Sequence, residues 1–235
     1  AHTAINQPFF SYNMCMYKRY LLYIIIIVSA MVLTGCGAEV HLRKAEQSYA
    51  LGEYYQAASL YKKAYAGTPS KEKSLRAERA YMMADCYRRI NYIPRAMAAY
   101  QNAIRYKYPD TVAYRYLADM QLRNGEYKNA AKNYSIYLDA FPNDELALNG
   151  LQSATQSAEW KKNPTRYIVK KDALFNSKYS DFSPAYGNDS YTSLYFTSSR
   201  DESTGDDING ITGMKSCDIY FSEKDEKGKW KKPVK

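Results

Sequence analysis

Four cysteines, two histidines and a scatter of acid–arginine pairs carry what chemistry this 235-residue sequence holds. The cysteines are Cys15, Cys36, Cys86 and Cys217. They form no C-x-x-C pair and no His/Cys cluster, so neither a zinc centre nor a disulfide framework is written in them. His2 and His41 are the only histidines, which leaves general-base chemistry near neutral pH almost without its usual side chain. There is no serine on a nucleophile elbow and no pair of metal-ligand motifs. Asp201, Asp206, Asp207 and Asn209 are close together, but their spacing does not fit the calcium-loop order D-x-[DN]-x-[DN]-G, and a solvated acidic turn is expected there. The chain therefore reads as a non-enzyme without metal or cofactor.

Cys36 is the exception, because of what precedes it. Met16-Tyr17-Lys18-Arg19-Tyr20 is a short positive segment, and Leu21 to Val32 is an uncharged run of the length of a secretory signal's apolar core. It is short for a membrane span, which needs ~20 apolar residues. Leu33-Thr34-Gly35-Cys36 follows directly and resembles the lipobox of bacterial lipoproteins. That resemblance implies diacylglycerol on the Cys36 thiol, cleavage between Gly35 and Cys36, and acylation, palmitate included, of the new amine. Several acyl chains hold a protein at a membrane far better than one does. The competing reading is an uncleaved transmembrane anchor. Residues 1–15 are expected to be an upstream or non-native extension, since Met14 and Met16 are the first methionines, and 16–35 a signal peptide. Gly37-Ala38-Glu39 lacks both an Asp directly after the cysteine and an acidic cluster. By resemblance this implies an outer-membrane protein facing the periplasm.

The elements that would stand behind this anchor repeat. Gly52-Glu53-Tyr54-Tyr55-Gln56-Ala57 leads to Tyr61, Ala64 and Pro69; Asn91-Tyr92-Ile93-Pro94-Arg95-Ala96 leads to Tyr100, Ala103 and Pro109; Gly125-Glu126-Tyr127-Lys128-Asn129-Ala130 leads to Tyr134, Tyr137 and Pro142. This pattern resembles a tetratricopeptide repeat (TPR) array, whose period is about 34 residues. Small Ala45, Ala84 and Ala118 on first helices, and Ala57, Ala96 and Ala130 on second helices, would let paired helices approach closely. Tyr61, Tyr100 and Tyr134 would fill the gaps between pairs. Gly52 and Gly125 suit a left-handed helix end, a role Asn91 can also take, and proline stops each second helix. With 26 Tyr the sequence favours a thin, layered core in which hydroxyls stay wet. The array is expected over 36–160, closed by a capping helix from about Asp144 to Trp160 carrying Leu146, Leu148, Leu151 and Ala154.

Tyr81, Asp85, Arg88, Arg115, Asp119 and Arg123, together with Glu78, fall at first-helix positions that line the peptide groove of related arrays. Arginine there could take a peptide carboxylate in bidentate fashion. The competing reading is ordinary surface charge, paired along the helix as Arg115–Asp119 and Asp119–Arg123. The formal net charge of +9 is scattered among acids, so a solvated surface is expected and no nucleic-acid partner.

After a linker over 161–180 the composition turns extended. Ser193–Ser198 and Asp218–Ser222 are strand-like, Asp201–Gly213 is a loop, Asp225–Gly228 a turn, and Lys229–Val234 a third strand. Ser183-Pro184, Leu194-Tyr195-Phe196-Thr197-Ser198-Ser199-Arg200 and Asp218-Ile219-Tyr220 resemble one repeat of a TolB-like β-propeller. Residues 181–235 would then begin a propeller and complete no more than its first blade, since several blades are needed to bury the sheet faces.

The fold expected is mainly α: a TPR helical-hairpin solenoid followed by an incomplete β-propeller. Lipobox, array and propeller in this order resemble the PorE-like family of Bacteroidota outer-membrane lipoproteins, which continue into a β-sandwich and an OmpA-like domain. The resemblance implies a scaffold of type IX secretion: envelope proteins bound through the TPR groove, membrane bound through acylated Cys36, and peptidoglycan bound only through a C-terminal domain beyond residue 235. A second reading is a general periplasmic TPR adaptor lipoprotein of β-barrel assembly or glycan uptake, which the strand-rich tail disfavours.

Overall fold

The structure, a computed structural model, describes residues 37–235. The extension, the signal segment and the Leu33, Thr34, Gly35, Cys36 motif lie outside the described residues. Within them seven helices come first: α1 (37–50), α2 (Tyr54–Gly67), α3 (Lys73–Arg89), α4 (Ile93–Arg105), α5 (Val112–Arg123), α6 (Tyr127–Ala140) and α7 (Glu145–Lys162). Three strands follow: β1 (Asp181–Tyr186), β2 (Ser193–Ser198) and β3 (Asp218–Glu223).

The helices pair as α1/α2, α3/α4 and α5/α6, and one turn geometry makes all three hairpins. Gly52, Asn91 and Gly125 sit at φ of 77°, 59° and 79°. At each turn the next N–H reaches back to the last helical turn: Glu53 to the Ser48 carbonyl at 2.9 Å, Tyr92 to Tyr87 at 2.8 Å and Glu126 to Gln121 at 2.8 Å. This left-handed closure satisfies carbonyls that a helix end otherwise leaves unpaired. Lys107 makes the same closure at the end of α4, with φ 63° and the Tyr108 N–H on the Ala103 carbonyl at 3.0 Å. Pro109 comes after this extra turn, whereas Pro69 and Pro142 follow closely on α2 and α6.

The packing alanines, Ala45, Ala57, Ala64, Ala84, Ala96, Ala103, Ala118 and Ala130, are all fully buried. Without side-chain bulk they let backbones come together, and Tyr61, Tyr100 and Tyr134 close the remaining space. The helices thus form a TPR-type solenoid capped by α7. The face α7 buries differs from the one expected. Leu146 and Leu148 point to solvent, and Ala147, Gly150, Ala154 and Ser157 face the array, with Leu151 partly covered. Their spacing is the helical one, and small residues win because Tyr134 already occupies the gap. A Cβ on Gly150 would run into the Tyr134 ring. Asp144 caps α7 by accepting the Ala147 N–H at 2.9 Å.

The strands form an antiparallel meander in the order β1-β2-β3, with Asp181 opposite Ser198 and Tyr195 opposite Phe221. Two expectations change here. Lys229–Val234 forms no regular strand: it pairs through the isolated bridges Phe221–Val234, on β3, and Lys224–Trp230, just past its end, and Pro233 has no N–H to extend the ladder. The third strand is β1, whose alternation is broken by a bulge between Phe182 and Ala185 with Ser183 at φ 52°. Pro184 is tolerated because β1 is an edge strand. The covered face of the sheet packs Phe196 and Tyr220 with Phe175 and Trp230.

The long β2–β3 loop returns to the helices. The Tyr55 and Gln56 N–H groups donate to the Ile211 and Gly210 carbonyls at 3.1 and 3.0 Å. Glu53 gives α2 no side-chain cap, so the loop supplies acceptors to donors that would otherwise lack them.

Candidate partner-binding site

The six groove residues do not act as one surface. Asp85 is 4% exposed and is a packing hub. Its carboxylate accepts from the Tyr49 hydroxyl at 2.7 Å, from Arg88 Nε at 3.1 Å and Nη2 at 2.5 Å, and from Arg89 Nε at 2.6 Å. Burial pushes this carboxyl up, but the bonds from Arg89, Arg88 and Tyr49 outweigh burial and hold it below the usual carboxylate range. Burial, aided by Asp85, pushes Tyr49 up to about 12.

Tyr81 is stacked on Tyr108 with ring centroids 4.2 Å apart and is half-buried. Arg115 turns towards Asp144 at 3.7 Å, and Asp119 accepts the Tyr134 hydroxyl at 2.6 Å. The expected pairs Arg115–Asp119 and Asp119–Arg123 are absent among the described residues, because each member has found a partner outside α5. Arg123 donates to the Asn91 side chain at 3.0 Å. Glu78 is exposed.

Arg88, Asp119 and Arg123 do meet, around a hollow of about 830 Å³ between the C-terminal ends of α3 and α5. Arg89, which the sequence reading passed over, completes its rim, together with Asn91. Arg88 and Arg89 share the Asp85 carboxylate, and Asp119 is bonded to Tyr134, so three guanidiniums stand against two carboxylates and the hollow keeps one net positive charge, with Arg123 held by the neutral Asn91 side chain. Arg88 is held over the Tyr116 ring at 4.1 Å and by the Tyr100 hydroxyl at 3.2 Å, so it is pre-set rather than free to sample rotamers. Fixed guanidiniums of this kind suit carboxylate-bearing peptides.

A second hollow of about 870 Å³ lies where the β2–β3 loop meets the first two hairpins. Tyr54, Arg89, Tyr92, Tyr179, Ile208 and Met214 line it. The Asp201–Asn209 segment works in the same junction: Lys215 reaches Asp206 at 2.9 Å and Lys178 reaches Asp201 at 3.4 Å. Among the described residues no group of acids, histidines and cysteines could hold a metal ion, and no helix is long and apolar enough to cross a membrane. Cys86 and Cys217 are free thiols, and burial pushes Cys86 up to about 12.

Fold and hollow together define a TPR-type helical scaffold joined to an antiparallel sheet. Among solved structures the chain is similar to the C-terminal TPR-containing domain of a Plasmodium falciparum FK506-binding protein, at 14% identity and a TM-score of 0.47, over 56% of this chain and 94% of that one. It is also similar to the first TPR of Spaghetti (RPAP3) bound to the HSP90 peptide SRMEEVD, at 22% identity and a TM-score of 0.45, over 53% and 95%. No family model matches the chain, and no curated protein matches it.

Proposed function

We propose that this chain is a non-catalytic scaffold, lipid-anchored through Cys36 to the outer membrane on its periplasmic side, whose TPR array holds an envelope protein. The observation that carries the reading is the arginine-rimmed hollow of Arg88, Arg89 and Arg123 on a rigid helical array. An acidic peptide segment of the partner fits it, through charge-assisted bonds of the guanidinium–carboxylate kind. The lipobox resemblance supports the anchor. The order of motif, array and sheet supports a PorE-like role in type IX secretion, with the sheet as first blade of a TolB-like propeller and with peptidoglycan contact left to a domain beyond residue 235.

Two measurements test this. Labelling with an alkyne palmitate should mark the chain and be lost in Cys36→Ala. Cross-linking of the full chain in its native membrane should recover an envelope protein, with Arg123→Glu weakening recovery about tenfold, as a reversed charge in a carboxylate site does. Recovery that Arg123→Glu leaves untouched would remove the hollow from the reading.

A further inference from the structure

Helix α1 is clamped to the folded array from its first turn. Ala38 is buried against the last residue of α2, so that a Cβ on Gly67 would stand 3.1 Å from the Ala38 Cβ. Next in the chain, Glu39 is ion-paired with Arg79 of α3. Arg79 in turn donates to Thr68 Oγ1 at 2.5 Å and the Ala64 carbonyl at 3.4 Å. The edge of the array at which α1 begins therefore also holds the C-terminal ends of α2 and α4 and the N-terminal end of α3.

That edge is basic and aromatic. Lys71, Lys73, Arg105 and Lys107 are exposed on it. Arg76 lies over the Tyr65 ring at 4.3 Å and the Tyr106 ring at 5.2 Å, and Arg105 over Tyr106 at 5.1 Å. Glu39 is taken up by Arg79, while Glu72 and Asp110, whose carboxylate keeps its charge on accepting the Val112 N–H at 2.8 Å, offset the cations only in part. The charge is local, because the equivalent join between α6 and α7 carries Asp139, Asp144 and Glu145 instead. The opposite edge holds the Gly52, Asn91 and Gly125 turns and receives the β2–β3 loop at Tyr55 and Gln56.

We propose that the Lys71/Lys73/Arg105/Lys107 edge lies on the anionic headgroups of the membrane that anchors the chain, holding the sheet a helix length away from the bilayer. The proposal rests on the reading of Cys36 as the lipid anchor. A chain acylated at residue 36 brings this edge, and no other, to the surface, since the α1 start is clamped within three residues of the lipid. Long cationic side chains reach headgroups while their stems and the tyrosine rings stay in the interface. Each such cation near an anionic surface contributes about fivefold in binding, and added salt screens it. At 1.5 Å per residue, α2 places the β2–β3 loop contact about 20 Å further out.

The test uses the full chain extracted from membranes and reconstituted into vesicles of phosphatidylglycerol with phosphatidylcholine, or of phosphatidylcholine alone. A membrane-impermeant amine-reactive ester is applied and labelling is read by mass spectrometry, which also reports the mass on Cys36. Lys71, Lys73 and Lys107 should label about fivefold more slowly on the anionic vesicles, while Lys128 on the opposite edge should not change. In the double variant Lys71→Glu, Lys73→Glu the protection of Lys107 should vanish. Equal labelling of both edges by a chain that carries lipid on Cys36 would overturn the membrane-facing edge alone. A chain with Cys36 unmodified would overturn the anchor and the edge with it.

Discussion

The Tyr49 hydroxyl donates to Asp85 Oδ2 at 2.7 Å, tying the first helix of one hairpin to the first helix of the next through a carboxylate that is almost wholly buried. Arg88 and Arg89 complete the hub from the helix that carries Asp85. The groove position thus became a joint between repeats.

Removing that joint is expected to loosen the stack. Asp85→Ala leaves a half-buried tyrosine and two arginines without their acceptor, at about 2 kcal/mol, read as a lower Tm or denaturant midpoint. The pH dependence has a definite sign. The folded carboxyl titrates below its unfolded value of about 3.9, so its contribution is complete above about pH 4 and is lost as pH falls through the folded value. The difference in stability between wild type and Asp85→Asn should shrink below about pH 4; a constant gap would take Asp85 out of the hub.

The solenoid was legible because its signals are local. Gly52 and Gly125 at left-handed turns, Asn91 as their substitute, and buried alanines at fixed spacing can be read without knowing any neighbour. What escaped depends on neighbours. Asp85 has the pattern of a groove charge, since nothing in α3 shows that Tyr49 will reach it across 36 positions. Arg79 is 3% exposed yet follows Glu78 like an ordinary surface charge, and its partner Glu39 stands 40 positions away. The leucines of α7 indicate the wrong face, because hydrophobicity usually marks the inward side, whereas room beside Tyr134 decides here. β1 was hidden by Ser183-Pro184, whose bulge erases the alternation that betrays a strand.

Gly150 offers a case in which two effects oppose each other. Gly→Ala inside a helix ordinarily gains about 1 kcal/mol. A methyl here meets the ring of Tyr134, which is 1% exposed and fixed by its 2.6 Å bond to Asp119, so the ring has nowhere to go. Overpacking of this kind costs about 1–3 kcal/mol, and Gly150→Ala should therefore lower stability. A rise in Tm would mean that α7 sits further from α6 than described.

Asp181 is expected to govern the sheet as Asp85 governs the array. It accepts the Ser198 hydroxyl at 2.6 Å, Arg200 Nη2 at 2.8 Å and the Ser177 N–H at 2.5 Å. Burial pushes it up, but these bonds prevail and hold it at about 2. Arg200 is also stacked over Tyr220 at 4.6 Å and bonded to the Phe175 carbonyl at 2.8 Å. Asp181→Asn should cost about 2–4 kcal/mol, seen in the emission of Trp230, which packs against Phe175. The wild-type sheet should hold this contribution above about pH 4 and lose it as pH falls towards 2. An acid limb unchanged by the substitution would count against the cluster.

The contact between sheet and array can be broken at one atom. Gly213 stands at φ 71° with its α-carbon facing the Tyr55 ring, where any Cβ would collide. Gly213→Val adds a β-branched side chain to a left-handed backbone and to an occupied space, so both strain and clash push the loop off α2. The Ile211 and Gly210 carbonyls then leave the Tyr55 and Gln56 N–H groups, which have no side-chain cap to fall back on. Amide hydrogen exchange at Tyr55 and Gln56 should quicken about tenfold or more, as for a helix end returned to solvent. Exchange in α5 and α6 should not move, because the backbone bonds that are lost are made to α2. Unchanged protection at Tyr55 and Gln56 would show that α2 has another acceptor, and the loop would then be a neighbour of the array rather than its cap.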